Sequence, residues 1–271
     1  MILYDDQAPH YDQRAGLSPE AAGQVAREVI NLHGPDSNGV LMEIGVGTGQ
    51  IGIELAHAVT HYAGFDHSIE MLRQFRNRAG RDENTPVFQA DATGPWPVAA
   101  KGVQTFFGSR SLHHIPPEHF LSEALQLGEP TGFLVIQGAI RRKKESALEQ
   151  LSVAMQEFLQ AEGYSGHKRR QWKKRLLEVS SPHHPERLPD LIVASWPTLN
   201  TPLQSLQSWG SKRGLAGLDL PAPVKARVLE KTERWAVSRF GSLTQAIESV
   251  EEYELFGLKF SSKESSQHVF E

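Results

Sequence analysis

The sequence predicts an α/β protein with a mostly parallel sheet of seven strands, helices on both faces and a helical insertion in the C-terminal half. Three observations carry that expectation. Short apolar runs alternate with segments of helical period through the first 140 residues, the pattern of a parallel sheet wrapped by helices. The connections are short, so right-handed crossovers are expected. The residues that end successive strands, Gly45, Asp66, Asp91 and Ser109, would then share one edge of the sheet, where such folds bind ligands.

The elements follow in order. Ser18-Pro19-Glu20 starts a helix with a capping hydroxyl and Pro at its first position, and Gly34-Pro35 ends it. Residues 40–44 form the first strand and 50–59 a helix. Tyr62–Phe65 is the second strand, followed by a helix from Ser68 to about Ala79 with Ile69, Leu72 and Phe75 on its apolar side. Strands are expected at Pro86–Ala90, Val103–Phe107 and Gly132–Ile136, with a helix opened by Pro116-Pro117. Beyond Arg141 helices are expected from Leu148 to Leu159, over about 168–178, and from Pro223 to about Phe240. Strands are expected at Leu191–Ser195 and Tyr253–Phe260. Pro197–Pro223 is turn-rich and resists assignment. One domain over 1–271 is expected, with 141–220 as a cap that binds substrate and 262–271 as a frayed tail.

Composition narrows the chemistry. There is no cysteine, which excludes disulfides, thiolate metal sites and thiol nucleophiles. No apolar run approaches a membrane span and the first residues do not form a secretion signal, so a cytoplasmic setting is expected. The net charge is −4, but residues 141–175 hold ten Lys/Arg against four Glu, a basic segment on an acidic body.

The segment Glu43-Ile-Gly45-Val-Gly47-Thr-Gly49 joins a strand to a helix through a loop with almost no side chains, so a ligand can lie against its backbone and meet helix N–H groups. Gly47-Thr-Gly49-Gln-Ile-Gly52 also fits the dinucleotide pattern G-x-G-x-x-G. Glu43 argues otherwise, because a carboxylate beside the loop would repel a pyrophosphate and attract a ligand bearing an amino group.

Taken together these motifs resemble the class I methyltransferases that use S-adenosylmethionine, over roughly residues 8–140 and more loosely the C-terminal strand. Ser111-Leu-His113-His114-Ile-Pro116 resembles their small-molecule, ubiquinone-biosynthesis-like branch. The resemblance implies a Rossmann-like sheet and S-adenosyl-L-methionine as cofactor. It places Glu43, Gly45, Gly47 and Gly49 in the first motif, Asp66 on the ribose hydroxyls, and Asp91 with the backbone of Ala92 at the adenine. His67 would stack on that ring, and Tyr11 with Arg14 would close the methionine end. Ser109, ending the fourth strand on the same edge, is also expected to bind the cofactor. This chain has Gln104 where the branch often has Asp, and Arg110 where an apolar residue is usual.

Methyl transfer needs orientation and exclusion of water, and a base only where the acceptor must lose a proton. His114 or His113 is the candidate base, since imidazole titrates near neutrality. His183-His184 is read as a polar loop, and no metal is expected. The expected reaction is in-line methyl transfer to a small organic acceptor, first of all O-methylation. The alternatives are an RNA methyltransferase using the six Lys/Arg of 168–175 around Trp172, an S-adenosylmethionine-binding protein without turnover, and an NAD(P) oxidoreductase. Trp172, Trp196, Trp209 and Trp235 either line an apolar pocket or fill the core of the insertion.

Overall fold

The computed structural model describes residues 5, 8, 11–12, 16–80, 85–98, 101–164, 169–212 and 214–261. Helix α1 (Pro19–His33) leads into β1 (Val40–Ile44), α2 (Gly52–Ala58), β2 (His61–Asp66), α3 (Ile69–Ala79), β3 (Val87–Gln89), β4 (Val103–Ser109), α4 (Pro117–Leu127) and β5 (Gly132–Arg142). There follow α5 (Ala147–Ala161), α6 (Arg169–Ser180), β6 (Glu186–Arg187), β7 (Leu191–Asn200), α7 (Pro202–Ser211), α8 (Ala222–Phe240) and β8 (Ile247–Ser261). Among the described residues these form a sheet ordered β3-β2-β1-β4-β5-β8-β6, with β7 paired to β8.

The expected α/β class and parallel arrangement are what the chain adopts. β1 pairs in parallel with β2 and β4, β2 with β3, and β4 with β5. From β1 the chain steps outward to β2 and β3, then returns to place β4 on the other side of β1. The carboxyl ends of β1 and β4 therefore flank the point where strand order reverses, and a crevice opens there in sheets of this kind.

Local chemistry sets the early elements. Ser18 Oγ accepts from Ala21 N at 3.1 Å, and Ser68 Oγ accepts from Met71 N at 3.2 Å, so α1 and α3 begin where a side chain satisfies their first amides. Helix α2 begins at Gly52, two residues later than the pattern suggests. That leaves Gln50 outside the helix, where its amide exchanges bonds with the backbone of Leu17 (3.1 and 3.3 Å).

The later strands outrun their sequence signals. β5 continues to Arg142, β7 to Asn200, and β8 starts at Ile247. The unassigned stretch contains α7, whose Thr201 and Gln204 form a capping box behind Pro202.

The chain divides into two compact units. The first comprises residues 1–139, 172–194 and 253–271, and the second 140–171 and 195–252. In the first unit Met42, Ile44, Phe65, Phe106, Phe120, Val135 and Phe256 build a buried core. Trp96 packs edge-on to Phe65 and Phe120 at 5.5 and 5.8 Å. In the second unit Met155 and Leu159 of α5 join Val228 of α8, Leu215 and Leu220, with Trp209 against them. Glu162, just past α5, accepts from Arg227 and Lys231 of α8 at 2.8 Å each. No helix among the described residues is long and apolar enough to cross a membrane.

Candidate active site at the β1–β4 switch point

The three glycines of the loop after β1 all have positive φ: 76° at Gly45, 56° at Gly47 and 81° at Gly49. They differ in what surrounds them. A Cβ on Gly45 would lie 2.5 Å from Ser111 Cβ, and one on Gly49 2.7 Å from Phe75 Cδ2, so packing demands glycine at both. A Cβ on Gly47 would meet nothing within 4 Å. Gly47 is thus the open floor of the loop, where a ligand can lie on bare backbone. The loop is tied to β2 through Gly45 N and Val46 N, which donate to Phe65 O at 2.8 and 3.2 Å.

Asp66 ends β2 directly beside that floor. Its Oδ2 accepts from Gly47 N and its Oδ1 from Ser68 N, both at 2.9 Å. Each carboxylate oxygen has a second lone-pair direction, the pair of acceptors that a vicinal diol requires. His67 follows, with Nδ1 3.4 Å from Asp66 Oδ1, and its carbonyl accepts from Gln89 Nε2 at 3.0 Å. At the end of the third strand Asp91 Oδ1 accepts from Thr93 N at 2.9 Å and Thr93 Oγ1 at 2.8 Å. Those bonds hold the Asp91 carboxyl below the usual range, keeping it ionised. Trp96 Nε1 donates to Ala92 O at 3.0 Å and pins the same loop.

Glu43 takes a different environment. It is 2% exposed, accepts from Tyr62 Oη at 2.7 Å, and lies against Gly52, where a Cβ would come within 2.4 Å of its Oε2. Burial pushes its carboxyl up to about 8, against a downward pull from the Tyr62 bond and with a further upward push from Asp66. It is therefore a protonated group packed behind the loop at neutral pH. Tyr62, its partner, has no distinguishing sequence signal, since it reads only as an apolar strand residue.

On the other side of the switch point β4 ends at Ser109, whose Oγ lies 2.5 Å from Tyr253 Oη of β8. Tyr253 is fully buried, and burial pushes its phenol up to about 12. Alternation along β8 marks Tyr253 as an inward position, but its pairing with Ser109 has no sequence signal. Arg110 has φ 59°, its N–H donates to Gly138 O at 2.8 Å, and its guanidinium carbon lies 5.8 Å from the centre of the Tyr11 ring. Ser111 Oγ donates to Ile44 O, bridging the ends of β4 and β1. His113 and His114 occupy the short 3-10 turn Leu112–His114 with ring centroids 4.0 Å apart, His113 half-buried and His114 exposed.

The N-terminal segment meets the loop. Thr48 Oγ1 donates to Asp12 Oδ1 at 2.6 Å, Arg78 pairs with Asp12, and Arg78 Nη1 donates to Thr48 O at 3.0 Å. Asp5 accepts from Ser68 Oγ at the start of α3. Asp12 adjoins Tyr11 in the motif singled out from sequence, yet its partners come from the loop and from α3. Arg14 lies outside the described residues.

The basic segment is not a free cationic face over its described residues. Trp172 is 5% exposed and donates from Nε1 to Ile115 O at 2.7 Å, which removes it as a stacking platform for bases. Lys173 pairs with Asp190 and Glu254, and Arg175 with Glu118 and Glu178.

A bare glycine floor beside a carboxylate that can take a diol, with a pinned acidic corner one strand further on, fits S-adenosylmethionine. Residues 41–132 match the family model described as a methyltransferase domain. No curated protein matches the chain by sequence. Solved structures share the fold. A candidate methyltransferase of Bacillus halodurans C-125 aligns with a TM-score of 0.55 at 15% identity, over 86% of this chain and 97% of its own. The YcgJ protein of Bacillus subtilis aligns with a TM-score of 0.55 at 14% identity, over 90% and 99%. The 4+2 cyclase SpnF aligns with a TM-score of 0.56 at 16% identity, over 95% and 94%. Residues 41–132 thus carry a methyltransferase domain, with S-adenosylmethionine as its cofactor.

Proposed function

We propose that the chain methylates an oxygen of a small organic acceptor at the β1–β4 edge, by in-line displacement. Gly47 carries this reading: it is the loop position with open space around it, and its N–H is bonded to Asp66. In the reading, Gly45, Gly47 and Gly49 form the floor and Asp66 takes the ribose hydroxyls. Asp91 and the Ala92 backbone meet the adenine amino group, and His67 stacks beside it. Glu43 acts from behind the loop with Tyr62. Tyr11 and Arg14 cover the methionine end, and Ser109 faces the acceptor.

When bound, the cofactor supplies a methyl group on a sulfonium. The residues supply orientation and a dry site, which is most of what such a displacement asks of a protein. His114, or His113 beside it, is the proposed recipient of the acceptor's proton. Ser109 and Tyr253 offer hydroxyls that can orient an oxygen nucleophile. Residues 141–220, which interrupt the strand–helix alternation, are the proposed source of further acceptor selectivity.

The test is incubation with methyl-labelled S-adenosylmethionine and, separately, a panel of hydroxylated small molecules and bulk tRNA. Label in a small-molecule ether or ester is expected. Label in RNA, or cofactor binding with no label transferred to anything, would overturn the reading.

A further inference from the structure

We infer that Asp5 is a positioning residue of the donor site, acting through Ser68 to fix the Asp66 carboxylate that meets the ribose hydroxyls. The inference rests on the proposed assignment of Asp66 to the ribose. It adds a residue near the start of the chain that governs how well that sugar is recognised.

The Asp66 carboxylate is held at two points. Its Oδ2 accepts from Gly47 N and its Oδ1 from Ser68 N, both at 2.9 Å. The first donor belongs to the glycine loop. The second belongs to the residue that opens α3. The carboxylate keeps its remaining lone pairs aimed at a diol only while both donors stay in place. Ser68 is therefore an anchor of the ribose contact as well as a helix cap.

Ser68 is 1% exposed, and its hydroxyl has one proton to place. The oxygen accepts from Met71 N at 3.2 Å, and the proton goes to Asp5 Oδ1. The same Asp5 oxygen faces Glu70 N at 3.4 Å. The first amides of α3 are thus closed by two residues that lie 63 apart in sequence. A carboxylate at a helix N-terminus is also favoured by the helix dipole.

Two acids share Ser68 without competing for it. Asp66 takes its amide hydrogen and Asp5 its hydroxyl hydrogen. Without Asp5 that hydroxyl proton is left unpaired in a buried place, which is costly. Rotating Oγ toward another acceptor gives up the Met71 bond and loosens residue 68. Its amide then no longer holds Asp66 Oδ1 in a fixed direction. The cost falls on the sugar, because the Gly47 bond to Oδ2 is not part of this chain of contacts.

The test compares full-length wild type with Asp5→Ala, Asp5→Asn, Ser68→Ala, Asp5→Ala/Ser68→Ala and Asp66→Ala. Each is titrated calorimetrically with S-adenosylhomocysteine and with its 2′,3′-dideoxy counterpart. The ratio of the two affinities measures ribose recognition, and thermal midpoints measure the helix cap. Asp5→Ala and Ser68→Ala break the same link from opposite ends, so either one carries the test.

Wild type should prefer the sugar with its hydroxyls by about tenfold or more, and Asp66→Ala should abolish that preference. Asp5→Ala and Ser68→Ala should each lower the ratio by about threefold or more. The double variant should be no worse than Ser68→Ala alone. Asp5→Asn retains an acceptor oxygen for the Ser68 hydroxyl and should restore most of the ratio. If Asp5→Ala lowers the thermal midpoint and leaves the ratio at the wild-type value, Asp5 is a helix cap alone and the inference is overturned. Losses that multiply in the double variant overturn it too, because Asp5 then does not act through Ser68. A ratio unchanged in Asp66→Ala takes Asp66 off the ribose and overturns both the assignment and the inference. A ratio that falls in Asp66→Ala but not in Asp5→Ala or Ser68→Ala overturns the inference and leaves the assignment standing.

Discussion

The proposed donor and acceptor sides of the β1–β4 edge are built from very different stretches of chain. On the donor side the floor and its carboxylate, Gly45 to Asp66, span 22 consecutive residues, and every shape requirement there is met by a glycine or a strand end. On the acceptor side Ser109 finds its partner in Tyr253, 144 residues later, and Arg110 finds a ring at Tyr11 near the other end of the chain. The donor side is assembled by local backbone geometry. The acceptor side exists only after β4, β5 and β8 have been brought together. In the proposed reading, the donor site is thus written in one short motif while the choice of acceptor is left to long-range packing.

That contrast can be broken from either side. The largest effect is expected within the glycine loop itself. Gly49→Ala should cost roughly 3–5 kcal/mol of stability, from the left-handed backbone plus the contact with Phe75. Gly47→Ala should cost only about 1 kcal/mol, yet weaken S-adenosylhomocysteine binding by at least tenfold. Urea unfolding and calorimetry read the two quantities. Equal stability losses, or intact binding in Gly47→Ala, would mean that Gly47 is not the floor.

Next is Glu43, a buried acid with no exposed role. Its folded-state carboxyl titrates at about 8, against 4.5 for an ordinary glutamate. Between those values the folded chain binds more protons than the unfolded one, so stability is full below about 4.5 and falls as pH rises toward 8. Between pH 5 and 8 the wild type should lose about 3 kcal/mol that Glu43→Gln does not lose. Parallel pH slopes in chemical denaturation would show that Glu43 is ionised in the folded protein.

Asp66→Ala should weaken S-adenosylhomocysteine by about 1–3 kcal/mol, through loss of charge-assisted bonds to the cofactor and of the bond from Gly47 N. An unchanged dissociation constant would remove Asp66 from the site. The smallest effect belongs to the long-range corner. Tyr253→Phe should cost about 1 kcal/mol of stability, since Ser109 loses its partner, and should raise the acceptor KM more than the cofactor KM. The reverse ordering of the two KM values would place Tyr253 on the donor side.

Legibility in the sequence followed the same division. The strand–loop–helix unit at 40–58 is visible because glycine at positive φ is a local necessity, and α1 and α3 are visible because Ser18 and Ser68 cap them. Helix α7 was obscured by its proline-rich surroundings, although the Thr201/Gln204 box was present to be read. The ends of β5, β7 and β8 lay beyond reach because ladder pairing, not propensity, extends them. Trp172 shows the limit of composition: it stands in a basic run yet packs with Phe120 at 5.7 Å in the core. Tyr62 and Tyr253 were invisible as partners, since a hydroxyl in an apolar strand declares a need for a bond but not where the bond will come from.

The junction of Asp12, Thr48 and Arg78 has a kinetic consequence. Thr48 lies within the loop proposed to receive the cofactor, and its hydroxyl, together with the guanidinium of Arg78, fastens Asp12 to that loop. Anything seated on Gly47 is therefore next to the Asp12–Thr48–Arg78 junction, which is held through side-chain bonds. The residence time of spent cofactor is then set by how often three side chains let go together, and adding salt, which loosens the Arg78–Asp12 pair, should shorten it.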